Sequence, residues 1–325
     1  SNYTTDVSIG SDTVQVTYEL MKKIRNSLKY MIGSIAIEDS KDFTLLPINK
    51  LSAYDQSILL KLQSNMKTIE KNYMDYEFGM VSKTVMEFLN TTMNTDYILS
   101  TKDTLFFENK ASSLRRKQVT STFVYIIDYL RYSLSPIMPL TFQEVWDTFY
   151  VKYGLDCEVS GRILKGKTPF TKPWLVEGII DHANIDKELS LRDKFNESFK
   201  HFIKQSNVKD KNGNALTKTV DVDVVVNYKN IENLNRELIE ELITASNITY
   251  QKVDTPVEEV EYIKNENDEY ERTVKLIELK PDQEYLGIHL SVADKESCNR
   301  CWKKTVAKDE HICERCSNAI TTGTA

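Results

Sequence analysis

Apolar residues recur every three or four positions through the first 150 residues, the spacing of one buried face of an α-helix. Four segments carry this pattern: residues 12–35, 54–73, 78–89 and 119–134. The fourth must end before Ser135-Pro136, because proline disfavours helical geometry in the residue before it. Thr141 is then a candidate N-cap with Glu144 three residues later, a pairing that predicts a fifth helix. Four or five amphipathic helices joined by short loops predict a helical bundle over residues 1–153.

Glycine and proline mark the next segment as a connector, which we place at residues 154–186. Within it, residues 161–168 match the phosphate-binding pattern G-x-x-x-x-G-K-[ST] letter for letter. Such a loop needs a helix directly after it, so that backbone amides converge on the phosphates. Pro169 and Pro173 follow here, and a helix cannot continue through the second proline. The sequence therefore predicts no nucleotide site in this segment.

After the connector the pattern changes to a mixture of helices and strands. Helical spacing covers two charged segments, residues 187–205 and 230–245. Alternating or β-branched runs predict strands at residues 220–226, 257–263, 273–279 and 286–292, the middle two forming a hairpin. This mixture predicts an α+β domain over residues 187–293. The fold class is therefore mainly α with a smaller α+β part.

Charge and composition narrow the functional classes. With 41% hydrophobic residues and a net charge of −6, the 325-residue chain is neither disordered nor polybasic. Eleven acidic residues against four basic ones lie between positions 254 and 284, an unfavourable face for phosphates. No membrane span is expected, because the apolar run 123–134 contains Asp128 and Arg131. No catalytic residue is predicted either, since the four histidines lack metal-ligand spacing and no G-x-S-x-G motif occurs.

Four of the five cysteines fall within the last 28 residues, in the pattern C-x2-C-x11-C-x2-C. They are Cys298, Cys301, Cys313 and Cys316. Each C-x-x-C places two thiolates on one ion, and two such turns complete a tetrahedral zinc site. Because protein fills all four positions, we expect one structural Zn²⁺ in a knuckle at residues 294–325. Two chance pairs or a redox motif are the alternatives, while His311 and Cys157 are disfavoured as ligands.

Basic residues surround Trp302 in this knuckle. They are Arg300, Lys303, Lys304 and Arg315, with Lys295 and Lys308 beside them. Guanidinium groups bind phosphates, and a tryptophan beside the zinc can stack on an unpaired RNA base. The alternative is that Trp302 packs over the zinc site as core and the charges are merely solvated. Composition leaves both interpretations open.

Six segments together resemble isoleucyl-tRNA synthetases of the bacterial and organellar type, in that family's order. They are Asp6-Val-Ser-Ile-Gly10, Lys22-Lys-Ile-Arg-Asn26, Arg115-Arg116-Lys-Gln118, Pro136-Ile-Met-Pro-Leu-Thr-Phe-Gln-Glu-Val-Trp146, Cys298-Asn-Arg-Cys-Trp302 and Cys313-Glu-Arg-Cys316. The resemblance implies that residues 1–153 are the helical anticodon-binding bundle shared by the synthetases for Ile, Val, Leu and Met. It implies that the junction and the zinc knuckle help to grip the anticodon stem-loop of tRNA-Ile. It also adds Arg25, Arg115 and Arg116 to the expected tRNA contacts.

In this family the full enzyme, expected to be a monomer, activates isoleucine with ATP and transfers it to tRNA in protein synthesis. Nothing in the chain matches its nucleotide-binding fold or its editing insertion. We therefore expect the catalytic domain upstream of Ser1, and a chain that binds tRNA but catalyses nothing itself. The zinc module favours bacterial-type ancestry, and a composition rich in Asn, Lys and Tyr favours an AT-rich genome. A fungal mitochondrial enzyme, located in the matrix, fits both, and the cytoplasm of an AT-rich bacterium is the alternative.

The chain departs from the family pattern in two places. Asp55-Gln-Ser57 stands where the family usually has Asp-Arg-Trp, and residues 155–284 follow the pattern loosely, with an expanded hairpin. Three other functions remain as alternatives: a valyl- or leucyl-type synthetase, a DNA-repair glycosylase with a similar four-cysteine finger, and a zinc-stabilised interaction module without an RNA role.

Overall fold

The structure, a computed structural model, describes most of the chain. The described residues are 6, 9–35, 43–108, 113–150, 158–159, 162–163, 185–204, 208–209, 213, 215–231, 234–254, 257–264, 270–307 and 310–321. The chain divides into two compact units, residues 1–183 and 184–325. The first unit is helical and the second is mixed.

Six α-helices lie in the described part of the first unit. They are α1 (Ser11–Ile35), α2 (Ala53–Met74), α3 (Phe78–Glu87), α4 (Ile98–Phe107), α5 (Leu114–Leu134) and α6 (Pro139–Val145). The helical spacing of the sequence is therefore confirmed as a bundle. The third predicted helix continues further than its apolar pattern, because the π-helical segment Phe88–Tyr97 carries the chain from α3 into α4. A second π-helical segment, Trp146–Tyr150, follows α6.

Helix α5 lies at the centre of the bundle, in contact with α1, α2, α3, α4 and α6. Sixteen of its 21 residues are buried, so it is covered on all sides. Three buried polar groups pair with one another there: the Arg131 Nε lies 2.9 Å from Asp128 Oδ1, and the Tyr150 hydroxyl donates to the same oxygen at 3.0 Å. A buried charge of this kind needs such partners, because desolvation otherwise opposes it. The pairing explains why a central helix tolerates Asp and Arg.

Two predicted helix boundaries are wrong. Helix α6 begins at Pro139, a favourable first helical residue, so Thr141 lies inside the helix and does not cap it. The Thr141 hydroxyl oxygen instead accepts a hydrogen bond from Arg25. In the second unit, the helix predicted over residues 230–245 covers only α8 (Arg236–Leu242), because Asn235 caps its start by accepting from the Leu238 N–H.

Most of the predicted connector, including the greater part of the 161–168 motif, Cys157 and His182, lies outside the described residues. Its described part is a short antiparallel pair, β1 (Glu158–Val159) and β2 (Arg162–Ile163).

A three-stranded sheet organises the second unit, in the order β4-β3-β7. Its elements are α7 (Asp186–Phe202), β3 (Val222–Lys229), α8, β4 (Asn247–Lys252) and β7 (Tyr285–Val292). β3 pairs with β4 in parallel and with β7 antiparallel, and α8 makes the crossover that a parallel pair requires. Alternate residues of β3, beginning with Val222, join Leu191 and Phe195 of α7 and Ile239 of α8 in one apolar core.

Two smaller antiparallel pairs complete the second unit. The acidic hairpin consists of β5 (Val257–Lys264) and β6 (Tyr270–Ile277), which confirms the hairpin prediction; its tip, residues 265–269, lies outside the described residues. The second pair, β8 (Glu296–Ser297) and β9 (Lys304–Val306), precedes α9 (Glu314–Thr321). No helix in the described part of the chain combines the length and apolar character that a membrane crossing requires.

Candidate metal centre and RNA-binding surface

The cysteine knuckle is built on the β8–β9 pair and the start of α9. Cys298 and Cys301 lie in the tight turn between the two strands. The Cys298 N–H donates to the Lys303 carbonyl and the Trp302 N–H donates to the Cys298 carbonyl, both at 2.9 Å. Cys313 and Cys316 follow at the start of α9, where the Ser317 N–H donates to the Cys313 carbonyl. Local backbone bonds therefore hold each C-x-x-C in place.

The four cysteine sulfurs converge on one point. Their Sγ atoms all lie within 4.8 Å of one another, and the Sγ atoms of Cys301 and Cys313 are 3.8 Å apart. Four thiolates bound at about 2.3 Å around a tetrahedral zinc are about 3.8 Å apart, so the spacing fits that geometry. A disulfide needs about 2.05 Å, and all four thiols are free. The donor set is four soft sulfurs that can hold a metal ion, with no position left for water or substrate.

Backbone N–H groups lower the pKa of one cysteine in the cluster and so favour its thiolate, the form that binds a cation. Burial acts to raise the pKa of the Cys298 thiol, but N–H groups of Cys301, Cys313 and Arg300 outweigh it and bring this pKa down to about 6. One of these donors, the Cys313 N–H, lies 3.4 Å from the Cys298 sulfur. Burial raises the pKa of Cys301 and Cys316. These amides thus favour the thiolate form of Cys298, and a metal ion would have to displace the protons of Cys301 and Cys316.

His311 takes no part in the described cluster, which consists of cysteines alone. The residue is exposed, and its carbonyl oxygen accepts from the Asn299 N–H at 2.9 Å. It therefore contributes to the knuckle through its backbone.

Trp302 is 60% exposed, and its backbone has a left-handed φ of 61°. The ring therefore does not cover the cysteine cluster as core, the alternative that composition had left open. Arg315 is exposed, Lys303 is half-buried, and half-buried Arg300 lies with one guanidinium nitrogen 3.4 Å from the Cys316 carbonyl oxygen. The turn presents an indole face among cations, and such a surface suits stacking on a base beside phosphates.

Lys304 is placed differently from its basic neighbours. Its side chain is only 12% exposed, and its Nζ lies 3.1 Å from the Oδ1 atom of Asp221, the residue directly before β3. Its backbone N–H donates to the Ser246 hydroxyl at 2.6 Å. Sequence reasoning grouped Lys304 with the tRNA contacts, whereas the structure directs its ammonium group into the α+β part of the same unit.

The two arginines in the first turn of α5, Arg115 and Arg116, make their contacts inside the bundle. Arg115 makes two bonds to the fully buried Asp55, at 2.5 and 3.0 Å, and the Tyr97 hydroxyl donates to the same carboxylate at 2.6 Å. Arg116 is itself fully buried and donates to the carbonyls of Leu105 and Ser34. Arg116 has no surface to offer a tRNA, and the guanidinium of Arg115 is committed to Asp55.

Arg25 lies at a groove of about 590 Å³ between α1 and α6. Its guanidinium is 2.8 Å from Glu144 Oε2 and 3.3 Å from the Thr141 hydroxyl, and its side chain is 44% exposed. Asn26 and Lys29 line the same groove. Sequence reasoning missed these two residues. Lys29 follows Arg25 by four positions and Asn26 by three, the spacings at which side chains are neighbours on a helix surface, so this signal was available.

The chain is similar in sequence to known tRNA ligases. Residues 55–220, just over half of the chain, match the family model described as the anticodon-binding domain of tRNA ligase. Over 98% of its length the chain is 28% identical to the mitochondrial isoleucine–tRNA ligase of Saccharomyces cerevisiae, and over 99% it is 24% identical to the isoleucine–tRNA ligase of Staphylococcus epidermidis. The mitochondrial enzyme of Macaca fascicularis is 25% identical, also over 99%. The chain spans only 29–32% of the length of these relatives. By this match the chain belongs to the anticodon-binding domain family of tRNA ligases.

Proposed function

We propose that the chain is the tRNA-recognition part of an isoleucine–tRNA ligase, the enzyme that attaches isoleucine to tRNA-Ile with ATP. The observation that carries this proposal is the match of nearly the whole chain to isoleucine–tRNA ligases of mitochondrial and bacterial origin. Because the chain spans about a third of those enzymes, the ATP site and the catalytic residues belong to another part of the enzyme, and this chain supplies binding.

The proposed domains are a bundle at residues 1–153, a connector at 154–186, a junction at 187–293 and a knuckle at 294–325. A monomeric enzyme is proposed from the family resemblance alone. The proposed location is the mitochondrial matrix, and the names of the yeast and macaque relatives, both called mitochondrial, support a mitochondrial location. The bacterial cytoplasm is the alternative, supported by the Staphylococcus relatives.

Zinc is the metal proposed for the four cysteines. A four-thiolate site with the observed sulfur spacing suits Zn²⁺, which accepts soft ligands and has no redox chemistry. The ion would hold the β8–β9 turn against α9 and thereby support the surface that carries Trp302. It has a structural role here, because the protein fills all four positions.

The knuckle surface is the first proposed RNA contact. Trp302 stacks on an unpaired base of the anticodon loop, and Arg300, Lys303 and Arg315 bind the phosphates around it. Stacking of one base on an aromatic ring is worth about 1–3 kcal/mol by alanine substitution. Loss of one such contact therefore weakens binding by roughly 5- to 150-fold.

The groove between α1 and α6 is the second proposed contact. Arg25 and Lys29 supply positive charge there, and Asn26 supplies amide hydrogen bonds. A phosphate entering the groove must compete with Glu144 for the Arg25 guanidinium, so we expect Arg25 to exchange partners on binding. Arg115 and Arg116 are left out of the proposed contacts because the bundle interior occupies them.

A titration with transcribed tRNAs tests the proposal. The 325-residue chain is expected to bind tRNA-Ile more tightly than tRNA-Val, tRNA-Leu or an unrelated tRNA, with an affinity that falls as salt rises. Trp302→Ala lowers the affinity, while Tyr76→Ala, another exposed aromatic residue with positive φ, serves as the matched control. Preference for tRNA-Val or tRNA-Leu would assign the chain to those enzymes instead. Zinc-loaded protein that binds no tRNA would leave the interaction module as the better description.

A further inference from the structure

We propose that Lys304 is a positioning residue that fixes the direction in which the knuckle presents Trp302. Lys304, Asp221 and Ser246 form what we call the knuckle latch. The proposal rests on the proposed tRNA-binding function. It replaces the sequence-based prediction that Lys304 binds a phosphate of the RNA, because it assigns the Lys304 side chain to the protein's own sheet.

The latch joins three separate segments of the second unit. The Ser246 hydroxyl lies directly before β4, donates its proton to the Val220 carbonyl at 2.5 Å, and accepts from the Lys304 N–H at 2.6 Å. Ser246 is 6% exposed, so these bonds are shielded from water. A hydroxyl has a single proton to donate, and both of its bonds here are to backbone groups. The first residue of β9 is therefore tied to the end of the three-stranded sheet.

Asp221 completes the latch because its two carboxylate oxygens have different partners. Oδ2 accepts from the backbone N–H groups of Thr217 and Lys218, while Oδ1 lies 3.1 Å from the Lys304 ammonium. The Asp221 carbonyl also accepts from the Ala293 N–H, directly after β7. The carboxylate is thus held by its own turn before it meets Lys304, so it offers the lysine a fixed partner.

Lys304 lies only two residues after Trp302, so the position of Lys304 constrains the position of Trp302. Two peptide bonds separate the residues, and the intervening Lys303 carbonyl accepts from the N–H groups of Cys298 and Thr305. The Trp302 N–H is itself bonded to the Cys298 carbonyl, and its φ of 61° is one that few non-glycine residues adopt. The backbone between latch and indole has little freedom, so a shift of Lys304 relative to the sheet redirects the ring.

The burial of the ion pair distinguishes a positioning role from direct contact with RNA. The side chains of Lys304 and Asp221 are 12% and 18% exposed. A phosphate would have to displace the Asp221 carboxylate and enter a corner where Asp221, Asp223 and Asp294 outnumber the two cations, Lys295 and Lys304. Arg300, Lys303 and Arg315 therefore remain the proposed phosphate contacts of the knuckle.

Asp221→Asn distinguishes a phosphate-binding role of Lys304 from a positioning role, because the two roles predict opposite changes in tRNA affinity. If Lys304 bound a phosphate, removing the competing negative charge would tighten tRNA binding. The latch predicts the opposite, because Asn has one acceptor oxygen and cannot serve both the Thr217–Lys218 amides and the Lys304 ammonium. We expect Asp221→Asn and Ser246→Ala each to weaken tRNA-Ile binding by about 3- to 10-fold, an effect of about 0.7–1.4 kcal/mol. The slope of log Kd against log salt is expected to stay unchanged, since no phosphate contact is lost.

Two controls make the result decisive. Glu314→Gln removes an equivalent negative charge from an exposed position in α9, outside the latch, and is expected to leave affinity unchanged or slightly tighter. In a Trp302→Ala background, Asp221→Asn is expected to cause no further loss, because the latch acts through the indole. Metal analysis must still show one zinc per chain in every variant.

A second readout does not depend on tRNA. Amide hydrogen exchange of residues 304–306 is expected to accelerate in Asp221→Asn and Ser246→Ala with zinc retained. Wild-type protein that binds no tRNA overturns the proposed function but leaves this exchange test to decide the latch. Unchanged exchange at β9, unchanged or tighter binding by Asp221→Asn, or a full additional loss in the Trp302→Ala background would each overturn the latch.

Discussion

Asp55→Ala is expected to destabilise the helical unit more than any surface substitution. The carboxylate is fully buried and has three kinds of partner: the Ser52 N–H and hydroxyl in a capping box, the Tyr97 hydroxyl, and the Arg115 guanidinium. Its removal leaves the buried Tyr97 hydroxyl without this acceptor and Arg115 without its counter-charge. The start of α2, the end of the π-helical segment Phe88–Tyr97 and the start of α5 would therefore lose a shared partner at once.

The magnitude follows from these contacts. Breaking a buried ion pair by removing one partner costs about 3–5 kcal/mol. The low end applies here, about 3 kcal/mol, because the Arg115 side chain is 20% exposed and regains water. For a unit of this size each kcal/mol lowers the melting temperature by about 2–4 °C, so the expected shift is about 6–12 °C.

Calorimetry of the full chain measures this shift, with Asp75→Ala as the matched control. Asp75 is the exposed C-cap of the same helix, and its loss is expected to change the free energy of unfolding by less than about 0.5 kcal/mol. The double variant with Asp55→Asn and Arg115→Met is expected to be more stable than the sum of its single effects, since it leaves no unpaired charge. A change within about 1 kcal/mol for Asp55→Ala would refute the assignment of Asp55 as the centre of this network.

Three further outcomes are expected. Cys301→Ser removes one thiolate of the tetrahedral set, and metal analysis of the purified protein is expected to show loss of the single zinc. Zinc affinity, followed with a chromogenic chelator, is expected to fall as the pH drops, because protons compete with the metal for Cys301 and Cys316, whose pKa values are raised. The fall is expected to steepen below a pH of about 6, where the Cys298 thiolate also gains a proton. Ile126→Ala, at a fully buried position in the centre of α5, is expected to lower the free energy of unfolding by about 2–5 kcal/mol in chemical denaturation, whereas Lys71→Ala at an exposed position of α2 leaves it nearly unchanged.

Features that depend on short spacing were predictable from the sequence. The apolar repeat found the long helices because burial of one face has the same period in every helix. The cysteine pattern brought four thiols together because each pair needs only a tight local turn. The strands β3, β5, β6 and β7 were predicted from alternating or β-branched runs, and the structure confirms them. β4, the parallel partner of β3, was not predicted, and neither were the short strands β8 and β9.

Features that depend on distant partners were not predictable. Arg115 finds its carboxylate at Asp55, 60 positions earlier, and Arg116 bonds to the carbonyl of Ser34, 82 positions earlier. Lys304 likewise pairs with Asp221. From sequence alone a charged residue is assigned to the surface by default, and an arginine in a recognised motif is assigned to the ligand. The π-helical segment Phe88–Tyr97 also escaped prediction, because its hydrogen-bond ring does not follow the 3.6-residue period.

The strand order of the small sheet has a consequence for the growing chain. Val224 in the central strand pairs with Ile248 and with Leu290, so one neighbour is 24 residues away and the other 66. During synthesis one edge of β3 therefore stays unpaired until β7 has been made. The hairpin of β5 and β6, which lies between β4 and β7 in the sequence, pairs locally. The cost of closing a loop rises only with the logarithm of its length. That interval can therefore lengthen over evolution without disturbing the sheet, and the hairpin is where we expect insertions to accumulate among relatives.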